Sequence, residues 1–152
     1  MTDRRPVLSA FQLGITPAEH KALLEVRELF ANGAFHHDWN QDHDRPNGFN
    51  MECFFNERSC GTTACIGGWM WALMKRDGET QALTGHRYVK YDRSLALKNL
   101  FWPPHEDIDD MSYDDITPGA ALLAIDSFLA TGNPNWQHAV GADVAVEVRD
   151  DA

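Results

Sequence analysis

Apolar positions recur at helical spacing in two stretches with clear ends. In residues 16–33, Ala22, Val26, Leu29 and Phe30 share one face, with Leu23 at its edge, which is the spacing of an amphipathic helix. Thr16 stands at the N-cap, Pro17 suits the first helical position, Glu19 completes a capping box and Gly33 closes the run. In residues 117–132 the same grammar returns: Thr117-Pro118 opens the helix, Leu122, Ile125, Phe128 and Leu129 face inward, and Gly132 ends it. The two runs echo each other, but two copies fall short of the ~3 repeats a solenoid needs. Shared helix grammar explains the echo.

Two further helices are predicted between them. One runs from about Thr63 to Arg76 and ends near Gly78; the other starts at a Ser94 cap, continues through Leu95, Leu97, Leu100 and Phe101, and is stopped by Pro103-Pro104. Strand signals are weaker. Phe49, Met51, Cys53 and Phe55 alternate with other residues, His86–Tyr91 alternates loosely, and Val144–Val148 forms a third short run. For residues 49–55 the rival reading is an irregular segment held by its aromatics. Residues 1–15 read as an extended lead-in, 34–48 as a loop with bulky anchors, and 137–152 as a strand or a mobile tail. The expectation is one domain over residues 1–152, mainly α. It is a compact bundle of about four helices with room for a small two- or three-stranded sheet, which would make the class α+β.

Composition adds limits. The chain has 152 residues, and five Trp and eight Phe supply bulky core material, enough to argue against disorder throughout. With 23 acidic and 13 basic residues the formal net charge is −10, so a nucleic acid would meet repulsion instead of counterion release. Residues 7–12 break before a secretory apolar region forms, and no apolar run approaches the ~20 residues that span a bilayer. The default compartment is therefore a reducing cytoplasm, and three cysteines, an odd number, speak against a fully paired disulfide framework.

The strongest chemical lead is the stretch from Ser59 to Trp71, with Cys60, Cys65, Thr62, Thr63, Gly61, Gly67, Gly68 and two tryptophans. If the threonines cap the helix, Cys60 lies just before it and Cys65 in its first turn, where the helix dipole favours a thiolate. Cys60 and Cys65 are therefore the candidate catalytic residues, with His36, His37, His43, His86 or His105 as candidate bases. The plainer reading makes both cysteines small buried residues. Redox chemistry is a third reading, although the four intervening residues do not make a Cys-x-x-Cys motif. Gly67-Gly68 inside a helix costs roughly 1 kcal/mol per residue relative to Ala. That predicts close approach of another element, foremost the helix beginning at Pro118, or of a ligand.

Two polar loops invite metal readings. Asp38, Asn40, Asp42 and Asp44 fall at positions one, three, five and seven of a calcium loop, but His43 replaces the sixth-position Gly and Phe49 the twelfth-position Glu. His36, His37 and His43 could offer nitrogens to zinc or iron, without a recognised ligand spacing. A solvated loop is the simpler account, and no metal or cofactor is assigned. Six carboxylates lie between Glu106 and Asp115. They suit a divalent cation, a basic partner, or a solvated loop that places negative charge before the next helix. Walker, dinucleotide, nucleophile-elbow and His-Glu-x-x-His motifs do not occur in the sequence.

The run Cys60-Gly61-Thr62-Thr63-Ala64-Cys65-Ile66-Gly67-Gly68-Trp69 resembles a segment of small bacterial and phage proteins. Asn50-Met51, Leu100-Phe101 and Thr117-Pro118 through Ile125-Asp126-Ser127-Phe128 extend the likeness over roughly residues 49–136. That resemblance implies a shared fold and carries no mechanism. The expectation for function is a non-enzymatic accessory or protein-interaction protein, with a protein partner and neither nucleic acid nor membrane. The rivals are a cysteine-dependent enzyme using Cys60 or Cys65 and a small metal-binding protein.

Overall fold

The computed structural model describes residues 7–58 and 61–142. Helix α1 (Ala10–Leu13) is one capped turn: Ser9 and Gln12 form a capping box, and Gly14 ends it in the left-handed region at φ 73°. Helix α2 (Pro17–Ala31) starts as its sequence dictates, with Thr16 and Glu19 satisfying each other's backbone N–H groups. Its apolar face puts Ala22, Leu23, Val26 and Phe30 in the core.

Four short strands follow: β1 (His36–His37), β2 (Gly48–Phe49), β3 (Phe55–Arg58) and β4 (Gly61–Ala64). They form one sheet in the order β1-β2-β4-β3. The β1–β2 and β2–β4 pairs are parallel, and β3–β4 is antiparallel with Asn56 opposite Thr63 and Arg58 opposite Gly61. Helix α3 (Ile66–Arg76) leaves the sheet directly after β4. A three-residue helix α4 (Gly85–Arg87) runs into a π-helical turn over Tyr88–Asp92, then a 3-10 turn over Leu95–Leu97 and helix α5 (Lys98–Phe101). Further 3-10 turns at His105–Ile108 and Tyr113–Asp115 lead to helix α6 (Pro118–Thr131), and residues 136–142 are helical again.

This is an α+β fold with a four-stranded mixed sheet, and it corrects the expected four-helix bundle. Several of the expected elements change type. The run 49–55 is not one strand, since Phe49 ends β2 and Phe55 begins β3 with turns between them. Helix α1 lies in the expected extended lead-in, and residues 137–142 are helical. Thr62-Thr63 does not cap a helix; the threonines lie in β4, and Cys65 takes the N-cap of α3. Residues 86–91 form no strand, because Thr84 caps a helical turn there and Tyr88 and Val89 turn into the core. The reading of residues 144–148 as a strand lies outside the described residues. Among the described residues, no helix is long and apolar enough to cross a membrane.

The core is continuous. Helix α2 packs on α3 and α6, and α5 touches both α3 and α6. Leu23, Val26, Ile66, Met70, Phe101, Ile125, Phe128 and Trp136 are buried in one apolar cluster. Arg27 ties α2 to α6 through Asp126, with Nε donating to Oδ1 at 2.7 Å. The Gly67-Gly68 pair does allow close approach, but not to α6. Gly67 faces Val89 and Phe101, and a Cβ at Gly68 would overlap the carbonyl oxygen of Phe54.

Candidate functional site

The cysteine stretch is built for packing at its one described cysteine. Cys65 is buried, and its Sγ accepts the backbone N–H of Gly68 at 3.4 Å, closing the first turn of α3. Burial pushes the Cys65 thiol up to about 11, against the lowering effect of the N–H groups at the helix start. Desolvation therefore outweighs the hydrogen bonds from those N–H groups, and the thiol stays protonated at neutral pH. Cys53 is also a buried free thiol, donating to the Thr63 carbonyl oxygen at 3.3 Å, and burial pushes it up to about 12. Cys60 lies outside the described residues, between β3 and β4.

The histidine-aspartate loop is a buried polar knot. Asp38 is nearly inaccessible and accepts the Thr63 hydroxyl at 2.6 Å and the backbone N–H groups of Asp42 at 2.8 Å and His43 at 3.0 Å. Burial pushes the Asp38 carboxyl up, but these hydrogen bonds together outweigh it and hold the group below the ordinary carboxylate value. Asn50, fully buried, donates to the Asp38 carbonyl oxygen at 2.9 Å and accepts from the Glu52 N–H at 2.7 Å. Gln41 and His43 are held at φ 55°, a sparsely populated region for such residues that the surrounding hydrogen bonds must maintain.

The carboxylate of Asp38 thus points at donors of its own chain, not outward as a calcium loop requires. His36 approaches Arg45, His37 donates through Nε2 to the Asp114 carbonyl oxygen at 2.8 Å, and His43 Nε2 lies 3.3 Å from Asn56 Nδ2. The three imidazoles are engaged with three different groups. Among the described residues, no set of three or more His, Cys, Asp or Glu side chains could hold a metal ion. The acidic segment lines a surface cleft of about 650 Å³, where Glu106, Asp107 and Asp109 sit beside Met111 and Val140. His86 and His105 instead make ring contacts, with Phe54 and Tyr113 respectively.

Elsewhere the structure exposes large apolar side chains, among them Leu95, which the sequence pattern places in a helix with Leu97, Leu100 and Phe101. Phe11 on α1, Tyr91 on the π-helical turn and Leu95 on the following 3-10 turn are exposed at 94%, 65% and 84%. These side chains are displayed by anchored backbone. Leu8 N–H donates to the Leu129 carbonyl oxygen at 2.8 Å, and His20 Nε2 donates to that of Leu8 at 2.9 Å, which fixes the start of α1. Gly14 stands close enough to Ala96 that a Cβ there would make ordinary contact, so α1 and the Leu95 turn abut.

The buried carboxylate of Glu19 fastens the rest. It accepts the Tyr88 hydroxyl at 2.6 Å and the Ser94 N–H at 3.1 Å, and the Ser94 hydroxyl as well. Burial beside that carboxylate pushes the Tyr88 phenol well above its ordinary range, so the hydroxyl remains a donor. The π-helical turn places Tyr88 and Val89 inward and leaves Lys90, Tyr91 and Asp92 outward. Between Arg87 and Lys98 the chain carries four cations, Arg87, Lys90, Arg93 and Lys98, against the single acid Asp92. Arg87 and Asp92 pair at 3.3 Å. This basic stretch belongs to a chain of net charge −10. The signal was present in the sequence as a local charge count, hidden because the cations are spaced and not consecutive.

No family model matches this chain, and no curated protein or solved structure matches it significantly.

Proposed function

We propose that the protein is a non-enzymatic, cytoplasmic interaction module that binds a protein partner through the surface bearing Phe11, Tyr91 and Leu95. The observation that carries this reading is the display of large apolar side chains on backbone held by the Glu19–Ser94 hydrogen bonds, with Gly14 of α1 close to Ala96 of the Leu95 turn. Single exposed apolar residues are ordinary on protein surfaces. Three of them on abutting, fastened segments favour an interface, where aromatic residues are enriched and rigid presentation lowers the entropy lost on binding. The alternative of cysteine chemistry gains no support from Cys65, whose thiol is buried and protonated.

Photo-crosslinking tests the reading. p-Benzoylphenylalanine is introduced in place of Phe11 or Leu95, and at the exposed Glu28 of α2 as a control, in cells that express the protein. One discrete adduct shared by positions 11 and 95, and lacking at position 28, is the expected result. Identical patterns at all three positions, or monomer alone, would overturn it. The purified Leu95→Ser variant should keep its stability within about 0.5 kcal/mol, as surface substitutions do, so that loss of the adduct is read as lost binding.

A further inference from the structure

We infer that the Phe11–Tyr91–Leu95 surface takes an acidic amphipathic peptide segment of its partner, with Lys90, Arg93 and Lys98 meeting carboxylates beside the apolar contacts. The inference rests on the interaction reading above and adds the chemistry of the occupant. Its ground is charge complementarity. The segment from Arg87 to Lys98 holds four of the chain's 13 basic residues and one of its 23 acidic ones. Once Arg87 and Asp92 are paired, the positive surplus is carried by Lys90, Arg93 and Lys98. The Glu19 carboxylate held at Ser94 offsets part of it, and Arg93 also donates through Nη1 to the Lys90 carbonyl oxygen at 2.7 Å. These cations interleave with the exposed apolar residues: Lys90 precedes Tyr91, its ammonium 5.9 Å from the ring centre, and Arg93 and Lys98 flank Leu95. Along the chain, cations and exposed apolar residues alternate between Lys90 and Lys98, a pattern that an acidic segment with interspersed apolar side chains matches.

The same charges argue against larger polyanions. Fields decay over ~8 Å at physiological ionic strength. A short peptide lying on the segment senses its local cations, whereas a duplex or a bilayer extends over the acidic remainder of a chain with net charge −10 and is repelled.

The test uses the full chain and four probes in fluorescence or flotation binding assays. These are a labelled peptide alternating Glu and Asp with Leu and Phe, its counterpart with Lys at every acidic position, an oligothymidylate, and vesicles of phosphatidylcholine with phosphatidylserine. Only the acidic peptide should bind. Its affinity should fall roughly tenfold in Lys90→Glu/Lys98→Glu and again on raising sodium chloride from about 0.1 M to about 1 M. Leu95→Ser should weaken it without altering the salt slope. Binding of the Lys peptide, the oligonucleotide or the vesicles with equal or greater affinity would overturn the inference, as would no binding of the acidic peptide. The cross-link from position 95 separates the two levels. An adduct unchanged in Lys90→Glu/Lys98→Glu leaves the interaction reading standing and overturns the acidic occupant; loss of every adduct in the parent protein overturns both.

Discussion

At the scale of single residues, Gly68 occupies a place where the backbone of another segment comes within contact of its Cα. Two glycines within a helix announce close approach, because each weakens the helix unless something fills the space a side chain would take. What fills it is the backbone carbonyl of Phe54 against Gly68, and the side chains of Val89 and Phe101 against Gly67. Sequence periodicity favours the helix beginning at Pro118 as the partner; it contains no information about a loop carbonyl. The two sites should therefore respond differently. Gly68→Ala must displace backbone and is expected to cost ~1–3 kcal/mol, as overpacking does. For a chain of this size that is ~2–4 °C in melting temperature per kcal/mol. Gly67→Ala meets side chains 2.8 Å from Val89 Cγ2 and 2.9 Å from Phe101 Cδ2, which can shift, so its loss should be smaller. Thermal unfolding of the two variants decides this, and an equal or reversed order would refute the backbone contact. The caps behave in the opposite way. Thr16, Glu19 and Thr117 were legible because each hydrogen bond spans only three residues, whereas Cys65 acts as a cap through sulfur, an uncommon acceptor that capping preferences do not include.

At the scale of elements, the sheet escaped the pattern because its strands have two to four residues. A period of two cannot be told from chance over such lengths. Register also depends on pairing between distant segments, as in Phe49 opposite Ala64. The 36–50 loop holds this sheet edge to the 3-10 turn at Tyr113–Asp115 through His37, whose Nε2 donates to the Asp114 carbonyl oxygen. That bond places the proton of the neutral ring on Nε2 and leaves Nδ1 buried without a partner among the described atoms. Charging the ring would bury an unpaired N–H. Burial accordingly lowers the pKa of His37, in opposition to the Asp114 carbonyl and the nearby Asp115 and Asp38 charges, while His36 adds to the lowering. Because the folded-state value lies below the unfolded one, the unfolded chain binds the proton more readily, and stability rises with pH across that interval. Stability contributed by neutral His37 should be complete above the ordinary histidine value of about 6.5 and lost as pH falls below it. His37→Gln can keep the donor without titrating. Melting temperatures at pH 7.5 and pH 5.5 should fall more for the parent than for this variant, and an equal fall would show that His37 does not carry the dependence.

At the scale of the whole molecule, the charge distribution and the core make separate demands. Net charge −10 was legible at once, and it ranked nucleic acid low among partners. The basic stretch from Arg87 to Lys98 became meaningful only when the fold set it beside α1 and left Tyr91 and Leu95 outside. An average over the chain conceals a local reversal of sign. The core, in contrast, is shared by nearly every element. Trp136 Nε1 donates to the Asn99 carbonyl oxygen at 2.8 Å, Trp71 Nε1 to that of Ala82 at 2.9 Å, and Trp69 Nε1 to that of Gly48 at 2.9 Å. Helix 136–142, the segment before α4 and the sheet are in this way each fastened by an indole to the same apolar cluster. No described element has a core of its own, so the sheet and the helices should unfold together in one cooperative step. Tryptophan emission and far-ultraviolet circular dichroism report the two different sets of contacts. Their urea transitions should coincide in midpoint and slope, and a tryptophan transition that precedes the loss of helix would mean that the sheet and its loops open as a separate unit.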